Sequence, residues 1–314
     1  MNTSRRQGGA ALVIALVIVA MATIMATTLV WENHLDRRRT ANQLHGAEAL
    51  ANALAVEDFV RAVLAEDERA SDHLLEPWAR QGDVFPIEGG SLSGSVIDLQ
   101  GRFNINNLYD WEKNEVRAEQ KENFGMLIQS LGLDERLVDA TIDWIDPGIE
   151  PEGFNGAEDD VYLRNTPAYR TANQPLADVS ELRLVANMTP EQFAVLEPYV
   201  AALPPQEGSA DITRININTA APEVLVALGE QLAPDDAARI VELRQQGGFD
   251  SLEDAQSVVG AEKLPDSIFG VTSDYFRVRV LAVIGSSRVT MYSALHRDPQ
   301  TGAVRTLSRS LGTP

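Results

Sequence analysis

Residues 10–30 are strongly apolar: 21 positions carry no charge, no Pro and no Gly, and only Thr23, Thr27 and Thr28 are polar. About 20 apolar residues in a helix cross the hydrocarbon core of a bilayer, so this stretch predicts a membrane-spanning helix. The pattern then changes period without a break. From Trp31 to Leu64 there is no Pro, and the single Gly is Gly46. Ala47, Leu50, Ala51 and Leu54 fall at i, i+3, i+4 and i+7, and Val56, Phe59, Val60 and Val63 repeat that spacing with the stripe shifted. This spacing predicts an amphipathic helix with one core-facing stripe. One continuous helix over 10–64 is roughly 80 Å long at about 1.5 Å per residue. Near the other end the period is two. Phe276, Val278, Val280, Ala282 and Ile284 alternate with Arg277, Arg279, Leu281 and Val283. Gly285-Ser286-Ser287 offers a turn, Val289, Met291, Ser293 and Leu295 alternate again, and Asp298-Pro299-Gln300-Thr301-Gly302 turns into a third strand over 303–310. An earlier strand over 94–99 joins this antiparallel meander. Arg277 and Arg279 read as a solvated strand face rather than a basic binding face.

Between these ends the period is helical. Helices are predicted over 115–131, 135–145, 179–186 and 190–200, then over 221–228, 235–246 and 252–259. Gly247-Gly248 stops the sixth, and Ser251 with Asp254 caps the seventh. Phe103-Asn104-Ile105-Asn106-Asn107-Leu108 recurs as Ile215-Asn216-Ile217-Asn218-Thr219-Ala220. Asp178-Val179-Ser180-Glu181-Leu182 recurs as Asp250-Ser251-Leu252-Glu253-Asp254. Two related helical subdomains are the simplest reading, joined by Pro204-Pro205-Gln206-Glu207-Gly208. The fold class is therefore α+β: a long N-terminal helix packed on a small antiparallel sheet, interrupted by an inserted all-α domain.

Charge narrows the function. The chain carries 46 Asp+Glu against 26 Lys+Arg, a net charge of −20, which repels phosphate backbones. Cys is absent, so disulfides, thiolate zinc sites and Cys nucleophiles are excluded. His34, His45, His73 and His296 have no metal-ligand spacing. The second helical unit resembles SAM-like or helix-hairpin-helix modules, some of which bind DNA backbones. Residues 216–275, however, hold 11 acidic and 3 basic side chains, and the connection over 229–236 has one Gly and three carboxylates. A shared scaffold without nucleic-acid binding fits better. A membrane-tethered DNA-uptake receptor is the rival reading. A paired-carboxylate hydrolase is weaker, with only Trp144 and Tyr162 to mark a sugar site. No phosphate-binding Gly loop, nucleophile elbow or zinc-helix motif is present.

Residues 134–160 contain ten carboxylates, with only Arg136 among them as a counter-charge. The later part, with Pro147, Gly148, Pro151, Gly153 and Gly156, reads as a loop. Crowding like charges in an ordered loop is costly unless a cation neutralises them. Oxygen donors without His or Cys suit Ca²⁺, although the spacing is not that of an EF-hand. The candidate ligands are Asp146, Glu158 and Asp159, then Asp143 and Asp160, with a carbonyl from Gly156. A solvated acidic surface loop is the alternative.

Arg5 and Arg6 precede Gly8 and Gly9 and favour the cytoplasmic side. A cleaved signal peptide, a plain signal anchor and a prepilin leader all begin this way. The leader reading places cleavage after Gly9, with Ala10 as the new N-terminus, and the continuation of the apolar stretch into an amphipathic helix supports it, since a cleaved signal peptide has no reason to continue so. Position five of the mature chain is then Ile14, where ordinary pilins have Glu.

The basic Gly-terminated leader, the apolar helix without that Glu, DLQGRFNINNL, DWID, GAEDDVYL, YRTANQPLADVSEL, ININTA and SDYFRVRV occur in this order. The set resembles the K-type minor pseudopilins of the bacterial type II secretion system over nearly the whole chain. The resemblance implies a leader (1–9), a transmembrane helix (10–30), a pilin-like helix and first strand (31–100), two inserted helical subdomains (101–213 and 214–274) and closing strands (275–314). It implies calcium in the insertion and no catalysis. It also implies cleavage and N-methylation by the prepilin peptidase, and a single-pass place in the inner membrane with the bulk of the chain in the periplasm. The implied partners are I-, J- and H-type minor pseudopilins above a major pseudopilin, at the tip of the pseudopilus, with no nucleic acid. The family pattern often has an Asp two positions beyond Asp146; Gly148 stands there instead.

Overall fold

The computed structural model describes residues 7–80, 82–205 and 212–312. Arg5 and Arg6 of the leader, and Gln206, Glu207 and Gly208 of the expected linker, lie outside the described residues. Helix α1, Gln7–Glu66, runs unbroken for 60 residues. Its buried stripe is only in part the one that apolar spacing predicts: Val60 is buried and Leu50, Val56 and Val63 pack half-buried on the sheet core, but the row is shifted. Ala49, Ala53, Val60 and Leu64 are buried, whereas Ala47, Ala51, Leu54 and Phe59 face outward. The buried row passes through Glu57, a charge that a search for apolar positions steps around. Glu57 accepts hydrogen bonds from Ser293 and Thr306, each 2.6 Å, and a fork from Arg309 at 2.8 Å. Burial works to raise its pKa, but these bonds and the Arg309 charge prevail and hold it at about 2.

After α1 the chain forms β1 (Val84–Ile87), which the alternation did not reveal, and β2 (Gly90–Asp98). The insertion then opens with β3 (Phe103–Asn104) and the hairpin β4 (Tyr109–Asp110) and β5 (Glu115–Val116). Helices α2 (Ala118–Ser130), α3 (Arg136–Ile145), α4 (Asp159–Tyr162) and α5 (Pro190–Leu196) follow. The expected helix at 179–186 is a 3-10 helix, Val179–Leu184. The helix expected over 190–200 stops early, because Pro198 cannot continue it and Val200–Ala201 is used as β6, parallel to β3. The second unit repeats the scheme. Strand β7 (Ile215–Asn216) opens it, α6 (Pro222–Leu228), α7 (Pro234–Arg244) and α8 (Leu252–Val259) fill it, and β8 (Phe269–Gly270) closes it parallel to β7.

The repeated asparagines explain the repeated sequence. Asn106 accepts the Leu176 N–H at 2.8 Å and donates to the Leu176 carbonyl at 2.9 Å. Asn218 does the same to Phe249, at 2.8 and 3.0 Å. Each clamps the backbone just ahead of the second repeated motif. The two units nevertheless share one core: Phe103, Phe124 and Leu127 belong to the same apolar cluster as Leu225, Ile240 and Phe269, and α2 packs on α6.

The chain returns as β9 (Tyr275–Ile284), β10 (Ser287–Arg297) and β11 (Val304–Leu311). The sheet order is β1-β2-β9-β10-β11, antiparallel throughout. Phe276, Val278, Val280 and Ala282 face α1 and form a second core with its buried alanines. The fold is the expected α+β arrangement, with the insertion entered after β2 and left before β9.

Candidate functional site

The insertion is fastened where the chain leaves the sheet and comes back. Asp98, at the end of β2, accepts bonds from Ser273 Oγ (2.6 Å), Thr219 Oγ1 (2.5 Å), Asn216 Nδ2 (3.0 Å) and the Gln100 N–H (2.7 Å). Asp72, just beyond α1, takes both contacts of Arg297 Nη2 at 2.6 Å and the Ser273 N–H at 2.7 Å. Asp67 and Glu76 lie beside Asp72, with carboxylate oxygens of all three within 4.8 Å of one another. Arg297 already supplies the cation there, reaching Asp67 at 3.5 Å. Burial raises the pKa of Asp98, and it carries Asp72 up to about 7 against the pull of Arg297. Residues of the quoted motifs DLQG, ININTA and SDYF therefore meet at one buried joint.

The acidic loop is built differently. Helix α3 presents Asp139 and Asp143 one turn apart and ends with Asp146 as its C-cap. The loop wraps back onto these side chains. Asp143 is fully buried and accepts the Glu152 N–H at 2.7 Å and the Ala157 N–H. Asp139 accepts the Asn155 N–H at 3.3 Å. Gly156 is required by this wrapping, since a Cβ there would lie 2.5 Å from Asp143 Oδ2 and 2.7 Å from the Glu152 nitrogen. Lys121 of α2 answers Asp139 at 2.8 Å and Glu152 at 2.9 Å.

Of the candidate ligands, Asp143, Asp146 and Glu158 are buried and lie near enough for their charges to act on one another. Asp146 Oδ1 and Glu158 Oε1 have no hydrogen-bond partner. Burial raises all three, and mutual repulsion adds to it at Asp143 and Glu158: Asp143 stands at about 6, Glu158 at about 7, and Asp146 is shifted the same way. Asp159 already has Arg170 at 2.8 Å and the Thr171 N–H and hydroxyl. Asp160 points to the surface and pairs with Arg164 at 2.8 Å. Gly148 adjoins Asp146: a Cβ there would lie 3.3 Å from Oδ2.

Two participants were not singled out from sequence. Lys121 sits on a different helix, outside the acidic window. Asn173, with φ +48°, donates to the Gly148 carbonyl at 3.3 Å and leaves its Oδ1 buried without a partner. The YRTANQPL motif contains it, but its type alone gives no ligand signal. The orphaned oxygens of Asp146, Glu158 and Asn173, all hard donors, fit a calcium ion better than a transition metal.

A long helix, apolar in its first half and amphipathic in its second, laid on an antiparallel sheet, defines a pilin-like subunit. Among the described residues one helix is long and apolar enough to cross a membrane, and its apolar window is wholly unburied. Residues 101–205 and 215–278 match the family described as type II secretion system (T2SS), protein K. The sequence is 36% identical to type II secretion system protein K of Pseudomonas aeruginosa, over 98% of this chain and 94% of that one. It is 34% identical to the protein of the same name from Aeromonas hydrophila, over 95% of each. The solved GspK-GspI-GspJ complex of the enterotoxigenic Escherichia coli type 2 secretion system contains a chain matched with a TM-score of 0.70 and 26% identity, covering 88% of this chain and 100% of that one. The chain belongs to the type II secretion system protein K family, the K-type minor pseudopilins.

Proposed function

We propose that this chain is a non-catalytic subunit that caps the tip of the pseudopilus and helps start its assembly, for export of folded proteins across the outer membrane. The observation that carries this reading is Ile14. A Glu at that position pairs with the N-terminal amine of a neighbouring subunit, because a lone charge in hydrocarbon is costly. In this chain no acidic residue precedes Glu32, so that pairing with a subunit in front is missing. A subunit with nothing in front of it has no need of it, and the bulk of the insertion blocks further docking.

The prepilin peptidase cuts after Gly9 and N-methylates Ala10. The helix holds the chain in the inner membrane, with the bulk in the periplasm. The solved complex supports I- and J-type pseudopilins as partners; an H-type subunit and the major pseudopilin complete the assembly. Calcium, held by Asp143, Asp146 and Glu158 with Asn173 and an outer contribution from Asp159, supplies the positive charge that the first three of these carboxylates lack. Ile14→Glu is expected to leave secretion intact, and the mature N-terminal peptide is expected to begin at Ala10 with one added methyl group. Loss of secretion in Ile14→Glu contradicts the tip position; an N-terminus beyond residue 20 contradicts retention of the helix.

A further inference from the structure

The outer face of the sheet is not the open surface that strand alternation predicts. Arg277 and Arg279 point away from α1, but the insertion covers part of that face, and the Arg277 side chain is only 14% exposed. Between sheet and insertion lies a cavity of about 320 Å³ lined by Ser95, Ile97, Arg102, Glu197, Pro198, Arg277, Arg279 and Tyr292. Three guanidinium groups converge on it in a chain of net charge −20. Their partners are few. Arg102 donates to the Glu197 backbone carbonyl at 3.2 Å, and Arg277 reaches Asp178 only at 3.8 Å. Arg279 has no ion pair among the described residues. The carboxylates of Glu197 and Asp98 are the acidic groups acting on Arg102. Burial, with the charge of Arg277 adding to it, lowers Arg102 to about 10. Three arginines therefore line this cavity with one acidic residue, Glu197, the reverse of the balance in the acidic loop.

Guanidinium groups present planar, paired donors that match the two oxygens of a carboxylate or phosphate. The Tyr292 and Ser95 hydroxyls line the same cavity and can donate as well. At about 30 Å³ per water molecule, the space holds one such group with several waters. We infer that the cavity between the outer sheet face and the first inserted unit is a binding site for a single oxyanion, with Arg279 and Arg277 as its principal donors and Arg102 at its inner wall.

The oxyanion can be a free inorganic anion or a carboxylate carried by another polypeptide, and calorimetry on the full-length protein in detergent separates these sources. Inorganic phosphate and a short glutamate peptide are titrated separately at constant ionic strength. Saturable binding of phosphate alone assigns a free anion, and binding of the peptide assigns a protein-borne carboxylate; either supports the site. Arg279 is exposed, so Arg279→Gln folds normally. It is expected to weaken binding about tenfold, the loss of one charge-assisted hydrogen bond. Arg288→Gln, on an exposed position of the same sheet outside the cavity, is expected to leave binding unchanged. Absence of saturable binding by both probes overturns the inference, and so does equal weakening by the two substitutions.

Discussion

Asp98 and Glu158 are both buried carboxylates in an acidic chain, and they are buried in opposite ways. Asp98 accepts four hydrogen bonds from Ser273, Thr219, Asn216 and Gln100, while Arg297 neutralises Asp72 beside it. Glu158 has an oxygen with no partner, and its neighbours Asp143, Asp146 and Asp159 repel it. The first cluster is completed by the protein's own cation and donors. The second is ordered by backbone N–H groups that fix Asp143, yet its charge is left unanswered. Burying like charges is tolerable only when they are paired or protonated, so the two sites are expected to respond to different variables.

The largest effect should come from breaking the completed site. Arg297→Met removes one partner of a buried pair and strands Asp72 and Asp67; a loss of about 3–5 kcal/mol in denaturant unfolding is expected. A loss below about 1 kcal/mol makes the joint no stronger than a surface ion pair. A smaller effect separates the loop residues from one another. Glu158→Gln is expected to weaken calcium binding in calorimetry about tenfold, the equivalent of one charge-assisted interaction. Asp160→Asn, already paired with Arg164 at the surface, is expected to leave it unchanged. Equal effects make the loop a diffuse acidic surface.

The pH dependence reports on both clusters, and its direction is opposite to ordinary acid denaturation. Asp72 stands at about 7 in the folded protein against 3.8 ordinarily, so between those values the folded state holds more protons. Stability therefore rises as pH falls from about 7.5 toward 5. Glu57, held at about 2, is ionised in both states across that window and adds a constant. In EDTA, Asp143 and Glu158 act in the same direction as Asp72. Calcium competes with these protons, so its affinity is expected to fall as pH drops through about 7 and about 6. A denaturation midpoint in EDTA that is higher at pH 7.5 than at pH 5.5 contradicts this assignment.

How much of this was legible in the sequence depended on whether the signal was periodic or convergent. The long helix, the three closing strands and α8 follow from spacing and turn chemistry, and the repeated asparagines announced two related units. The buried stripe of α1 was read only in part: Leu50, Val56, Val60 and Val63 pack inward, but a satisfied charge, Glu57, occupies the centre of the row. Strand β1 was missed because Val84-Phe85-Pro86-Ile87 does not alternate, and Pro86 is tolerated there because the strand lies at the sheet edge. The density of carboxylates marked the loop, but density could not rank its members. Asp160 turns outward and Asp143 inward only because α3 and the chain after Gly156 fix their directions. The joint at Asp98 was invisible as a site, since it gathers single residues from segments more than a hundred positions apart.

The contrast between the two clusters is tested most directly by amide hydrogen exchange on the full-length protein with calcium and with EDTA. The Glu152 and Ala157 amides report on the loop, because both donate to Asp143; the Ser273 amide reports on the joint, because it donates to Asp72. Calcium is expected to slow exchange at Glu152 and Ala157 and to leave Ser273 unchanged. Equal rates at Glu152 and Ala157 in both conditions, or slowing at Ser273 as large as in the loop, would contradict the account.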